Sequence, residues 1–164
     1  MRKTPLTDAM WAAYRGATGL QHDDYAVVAF GNGTGFETKL AELVLAGRKR
    51  ATASLLRSFT LGGEEPPVLG GHVVTVDGEG NPRCIWRTTE LRIGRLDSVD
   101  DAFARDEGEG ERTREWWLDA HRRLYAARAA RDHFEFHDGM QTVFERFTVV
   151  WPPDVADSGK VTAG

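Results

Sequence analysis

The chain has 164 residues, 41% of them hydrophobic, enough to bury a core as a single domain over residues 1–164 without a metal or disulfide staple. A formal net charge of −4 argues against broad electrostatic adhesion to long nucleic acid, and Cys84, the sole cysteine, excludes an internal disulfide and a Cys-x-x-Cys centre. Arg2, Lys3, Asp8 and Arg15 interrupt the opening segment, and no later run reaches the roughly eighteen apolar residues of a spanning helix, so the sequence predicts a cytoplasmic protein with no membrane partner.

Leu6, Met10, Trp11 and Tyr14 recur at near-helical spacing, with Thr7 or Asp8 as the cap and Gly16 and Gly19 following. This predicts an amphipathic helix in an N-terminal extension over residues 1–27. A loop from Gln21 to Tyr25 and a turn at Phe30-Gly31-Asn32-Gly33 lead to a second helix, with Phe36, Leu40, Leu43 and Val44 on one face and Gly47 as its stop. Val73 to Val76, the turn from Asp77 to Pro82 and the β-rich run from Cys84 to Ile93 read as a hairpin. Asp97 to Ala104 reads as a short helix. Thr113 to Arg131 reads as a long one, carried by Trp117, Leu118, His121, Leu124 and Tyr125, with its arginines outward. The last strand, Thr142 to Trp151, alternates Val143, Glu145, Phe147 and Val149 against Phe144, Arg146, Thr148 and Val150, and Pro152-Pro153 stop it before a polar tail over 153–164. Helices mixed with a hairpin, without repeats, predict an α+β fold whose core spans residues 28–152: a small, mostly antiparallel β-barrel with flanking helices.

Three segments, in this order and spacing, resemble the ASCH family: Leu45-Ala46-Gly47-Arg48-Lys49-Arg50-Ala51-Thr52-Ala53-Ser54-Leu55, Phe103-Ala104-Arg105-Asp106-Glu107-Gly108-Glu109-Gly110, and Phe144-Glu145-Arg146-Phe147. The hairpin between them, with Gly71, Asp77-Gly78 and Thr88-Thr89-Glu90, is similar too, so the likeness runs from about Phe30 to Pro152. The resemblance implies a PUA-like barrel and an association with RNA or modified nucleosides. Some related members remove an acyl group from the exocyclic amine of cytidine, others are described as ribonucleases, and fold alone does not choose between them. It further implies that Lys49 is the catalytic base, Thr52 the nucleophile three positions on, and Glu107 the acidic partner; no cofactor and no metal are expected.

The chemistry of these residue types fits such roles. A threonine hydroxyl attacks only when a neighbouring base takes its proton, and a lysine serves as that base only when burial or positive neighbours favour the free amine; Arg48 and Arg50 flank Lys49. Backbone amides near Thr52 would hold the oxyanion. Without the resemblance, a Lys-Arg-x-Thr turn after a helix reads as a solvated corner, and Glu107 and Glu109 as a solvated loop whose glycines, Gly108 and Gly110, permit close ligand approach. Arg48, Arg50, Ser54, Arg57, Trp86 and Glu109 form the candidate nucleoside or nucleic-acid surface, the arginines for phosphate and Trp86 for base stacking; a solvated basic face is the plainer reading of the arginines.

His133-Phe134-Glu135-Phe136-His137-Asp138 alternates as an extended segment, which does not bring two histidines to one metal. His121 reads as a packing or capping histidine. Departures from the family include Asn32 where relatives often carry aspartate and Phe144 where many have cysteine. Leu43 and Val44 occupy the region where ribonuclease members carry a tyrosine, which weighs against a nuclease. The sequence therefore predicts an amide hydrolase acting on an acylated cytidine-type nucleoside, with an RNA-binding module without turnover as the alternative and a ribonuclease third. Its partner is a modified nucleoside or single-stranded RNA; the sequence does not fix an oligomeric state.

Overall fold

Pro5 fixes its own φ at the first helical position and Thr4 supplies the cap, so α1 (Pro5–Thr18) starts a few residues earlier than Thr7 or Asp8 would place it. The Thr4 hydroxyl accepts from the Thr7 amide at 3.2 Å, the Thr7 hydroxyl accepts from the Thr4 amide at 2.8 Å, and Gly19 ends the helix at φ 75°. The structure is a computed structural model that describes residues 1–31 and 33–157; Asn32 and residues 158–164 of the polar tail lie outside the described residues.

In chain order the remaining elements are β1 (Ala26–Val28), α2 (Glu37–Leu45), β2 (Ala51–Leu55), α3 (Leu56–Thr60), β3 (His72–Val76), β4 (Pro82–Arg95), a single 3-10 turn over Leu96–Ser98, α4 (Asp101–Glu107), α5 (Arg114–Asp132) and β5 (Gln141–Trp151). The α+β class follows the sequence reading. The strands are hydrogen-bonded in the order β1-β3-β4-β5-β2, with β1 parallel to β3 and the pairs β3–β4 and β2–β5 antiparallel. β1, β2 and α3 have no counterpart among the elements read from sequence. Phe36, expected on the buried face of α2, precedes the helix at its N-cap and is exposed, while Ala41 and Val44 are buried. Among the described residues no helix is long and apolar enough to cross a membrane.

The chain divides into two compact units, each assembled from separate stretches. The first comprises Met1–Arg50, Pro67–Thr89 and the chain from Phe147; the second comprises Ala51–Pro66 and Glu90–Arg146. In the first, α1 contributes Trp11 and Tyr14 to a cluster with Tyr25, Val27, Val74, Val76 and Ile85, so the N-terminal segment is part of a core. A second cluster there gathers Phe30, Val44, Val73, Trp86, Phe147 and Val149. The second unit has its own core of Ala51, Leu55, Leu96, Val99, Phe103, Trp117, Leu118, Tyr125 and Phe144. α4 and α3 both pack on β2 within it, and α4 packs on α5.

The turn of the hairpin is closed by Asp77, whose Oδ1 accepts from the amides of Glu79 and Asn81, both at 3.0 Å. Burial works to raise the pKa of this carboxyl, but the Asn81 and Glu79 amides and Arg83 prevail and hold it below the usual value.

Candidate functional site

The position of Lys49 is dictated by how α2 ends. Gly47 takes the left-handed conformation at φ 80°, its amide donates to the Val44 carbonyl at 3.0 Å, and the Arg48 amide reaches back to Leu43 at 2.9 Å, which is the Schellman pattern. The Lys49 amide shares the Leu43 carbonyl at 3.1 Å. Lys49 is thereby turned inward: it is 2% exposed, with its ammonium 5.1 Å from the centroid of the Phe30 ring. That ring meets Trp86 edge-on at 4.9 Å, and Trp86 lies 3.6 Å from Phe147, centroid to centroid. Trp86 is 1% exposed, so it cannot be the base-stacking platform expected from sequence; it supports the ring beneath Lys49.

Arg50 differs from expectation as well. Its Nε and Nη2 donate to the two carboxylate oxygens of Asp157 at 2.8 and 3.0 Å, and its Nη1 donates to the carbonyls of Val44 and Lys49, each at 2.7 Å. The guanidinium is thus committed to the end of α2 and to the chain beyond β5. It is a structural tie in place of a phosphate ligand. Arg48 is exposed.

In the second unit, Thr52 sits on β2 directly opposite Glu145 of β5. Residues opposite each other in an antiparallel pair share a face, with Cβ atoms about 5 Å apart. Alternation sends Ala51, Ala53 and Leu55 to the core face and leaves Thr52 and Ser54, both partly exposed, on the other with the buried Glu145.

Glu107 occupies the last turn of α4, on the buried face shared with Phe103 and Ala104, and is 2% exposed. It is a helix residue, which the loop reading missed; Gly108, at φ 78°, caps the helix just after it. His121 of α5 stacks on Trp117, centroids 3.7 Å apart and 17° from parallel. Its Nδ1 bonds the Trp117 carbonyl at 2.8 Å, and since a carbonyl only accepts, this nitrogen carries the proton. The other ring nitrogen, Nε2, lies 3.8 Å from Glu107 Oε1. One turn on, the Tyr125 hydroxyl donates to the Ala53 carbonyl at 3.3 Å, tying α5 to the strand that carries Thr52. Burial, with the Glu107 charge second, raises the pKa of that hydroxyl.

The sequence reading thus singles out Lys49, Thr52 and Glu107 by resemblance alone, and passes over Glu145, His121 and Tyr125 as neighbours of Thr52 and Glu107. A signal for the last two is present: Trp117, His121 and Tyr125 recur every four residues on one helix face. Glu109 is half-buried and its carbonyl accepts from the Arg112 amide at 3.2 Å, while Gly110 lies close under Trp116. Arg57 lies over the Phe134 ring at 3.7 Å, away from any role in common with Arg50. His133, Glu135 and His137 are exposed between the half-buried Phe134 and Phe136, the alternation of an extended segment.

The first unit thus holds a buried lysine, and the second a strand hydroxyl opposite a buried carboxylate and a further buried carboxylate beside an imidazole, residue types of the kind that acyl transfer uses. A family model for the ASCH domain matches residues 26–151. The chain is similar to the crystal structure of an ASCH domain from Lactobacillus crispatus JV V101, with 27% identity, a TM-score of 0.79, and coverage of 88% of this chain and 93% of that one. It is similar also to the crystal structure of a protein from Enterococcus faecalis V583, with 30% identity, a TM-score of 0.78, and coverage of 87% and 86%. No curated protein matches it.

Proposed function

Because this chain belongs to the ASCH domain family and has its PUA-like α+β fold, we propose that it is an amide hydrolase that removes an acyl group from the exocyclic amine of a cytidine-type nucleoside. The fold is associated with both RNA binding and hydrolase activity. One observation carries the hydrolase reading: Lys49 and Glu107, at the two charged motif positions, are each only 2% exposed. Lysine and glutamate are almost never buried to that degree unless paired, and burial is costly enough that it marks groups a fold retains for structure or chemistry.

In this reaction the Thr52 hydroxyl attacks the acyl carbon as its proton passes to Lys49 Nζ acting as the base. The tetrahedral oxyanion collapses, the bond from the acyl carbon to the exocyclic nitrogen breaks, and Lys49 returns the proton to the departing amine. Glu107 holds the N–H of the cytidine amine. Water then cleaves the threonine ester, releasing the carboxylic acid and restoring the hydroxyl.

Thr52→Ala removes the attacking oxygen and is expected to abolish release of the acyl group from N4-acylcytidine, whereas Thr52→Ser should keep part of the activity. Lys49→Arg should be nearly inactive although it conserves charge, because a guanidinium does not give up its proton at working pH. Chromatographic assay of deacylation by folded variants checks this. A Thr52→Ala protein with the wild-type rate excludes the nucleophile, and a wild type that hydrolyses no acylated cytidine leaves an RNA-binding module without turnover as the function.

A further inference from the structure

The second unit contains a cleft of about 340 Å³, lined by Arg57, Ser58, Leu61, Gly62 and Glu64 around α3 and by Arg128, Arg131, Asp132 and Phe134 around the end of α5. We propose that this cleft binds a phosphate group carried on a nucleoside, the phosphate between Arg57 and Arg128 and the apolar part of the ligand against Leu61 and Phe134.

The charges argue for an anion. Arg131 is satisfied by its neighbour Asp132, with bonds of 2.8 and 3.0 Å, and so answers the negative end of α5 by itself. Arg57 and Arg128 make no direct ion pair among the described residues, although both lie within reach of the Asp132 charge that Arg131 engages. They come from different elements and converge on one cleft. With Arg131 they set three cations against the carboxylates of Glu64 and Asp132, so the lining keeps a net positive charge that a bound anion answers.

The geometry argues for phosphate. The Arg57 guanidinium lies 3.7 Å over the Phe134 ring, which orients its fork of donors. Arg128 Nη1 makes only a long contact of 3.4 Å with the hydroxyl of Ser58, itself buried, leaving its other donors available. Ser58 also brings an acceptor and donor into the wall. The wall is tightly built: a Cβ at Gly62 would lie 2.7 Å from the Ser58 carbonyl.

The size argues for more than an inorganic anion. A volume near 340 Å³ lies in the range of small-molecule sites, about 300–1,000 Å³. Its apolar members include Leu61, which is 76% exposed, and the half-buried Phe134. An exposed leucine and an aromatic beside two arginines suit a flat base attached to a phosphate. The site stands independently of hydrolysis at Thr52, because its readout is binding.

The test titrates the full chain with cytidine 5′-monophosphate, cytidine, inorganic phosphate and a hexanucleotide of single-stranded RNA, following Ser58, Phe134 and arginine side-chain resonances. The monophosphate is expected to bind and shift these signals, cytidine to leave them unmoved, and inorganic phosphate to bind at least tenfold more weakly. Arg57→Gln and Arg128→Gln should each weaken binding about tenfold, with Arg2→Gln, exposed and not among the residues that line the cleft, as the control. For the hexanucleotide, each substitution should lower the slope of log K against log salt by about 0.7. Arg57→Lys, which keeps the charge and loses the fork, should fall between wild type and Arg57→Gln and covers the case in which the glutamine variant misfolds. A hexanucleotide that binds more tightly than the monophosphate identifies an RNA strand as the source of the phosphate; equal affinities identify the mononucleotide. Phosphate binding as tightly as the monophosphate would overturn the nucleoside part of the proposal, and ligand shifts confined to other residues, or undiminished binding in both glutamine variants, would overturn the site.

Discussion

Sequence groups Arg50 with Arg48 and Arg57, yet its surroundings give it a different job. Four hydrogen bonds hold its guanidinium, two of them to Asp157, and Asp157 in turn accepts from the Val149 amide at 3.0 Å and the Thr148 hydroxyl at 3.2 Å. Burial pushes the Asp157 carboxyl upward, but Arg50 and the Val149 amide outweigh it and hold it below its usual value. The pair is half sheltered, with side chains 19% and 30% exposed, so removing one partner strands the other in part. Arg50→Ala is expected to cost about 2 kcal/mol, or roughly 4–8 °C in Tm for a chain of this size. The salt dependence of RNA binding should not change. Calorimetry and a binding titration on the same variant separate the two roles, and a variant that melts as wild type while losing salt-dependent affinity would return Arg50 to the ligand surface.

Among the elements, α2 shows how a backbone requirement presents a functional side chain. Gly47 stands at φ 80°, and a Cβ added there would find Arg50 Nη2, 4.0 Å away, as its nearest neighbour, so a side chain meets conformational strain and no clash. Gly47→Ala should therefore cost about 1 kcal/mol, and Gly47→Asn less, because asparagine tolerates the left-handed region. Urea midpoints measure the order, and equal costs for the two would show that φ is not what ends α2. Gly110 contrasts with it: a Cβ there would lie 2.1 Å from the Trp116 ring, so alanine must displace the link between α4 and α5. The elements legible in sequence are those with apolar periodicity or strong turns, namely α1, α2 with its Gly47 stop, the β3–β4 hairpin, α5 and β5, with α4 read a few residues early. β1 has three residues, α3 has five, and β2 reads Ala-Thr-Ala-Ser-Leu, a run with little intrinsic strand preference. β2 is extended because β5 pairs with it from Ala51 to Leu55, information that lies far along the chain, at Thr142 to Arg146. For the same reason the partnership of Thr52 with Glu145 is invisible in sequence, whereas Lys49, Thr52 and Glu107 can be picked out by a motif that needs no register.

At the scale of the whole molecule, acid should act first on the unit that contains α1. His72 is buried there, its Nε2 3.3 Å from the Tyr14 hydroxyl, with the rings of Trp11 and His22 at 5.3 and 5.4 Å. Burial, followed by the positive charges of His22 and Arg87, lowers its pKa to about 4, so the folded protein keeps the ring neutral where an unfolded chain, near 6.5, would protonate it. The unfolded state therefore binds the extra proton between these values, and stability must rise with pH across that window, by up to about 1.4 kcal/mol per pH unit for this one group. Above pH 6.5 both states are neutral and the contribution is complete; below about pH 4 both are protonated and it is gone. Asp77 and Asp157, held below their usual values, lose their contributions as pH falls below that window, so they do not obscure it. His72→Gln keeps a polar partner for Tyr14 and removes the titration. Urea denaturation at half-unit steps from about pH 4 to 7 should show a slope in the wild type that flattens in His72→Gln, and parallel profiles for the two proteins would mean that His72 is not the group through which acid unfolds this unit.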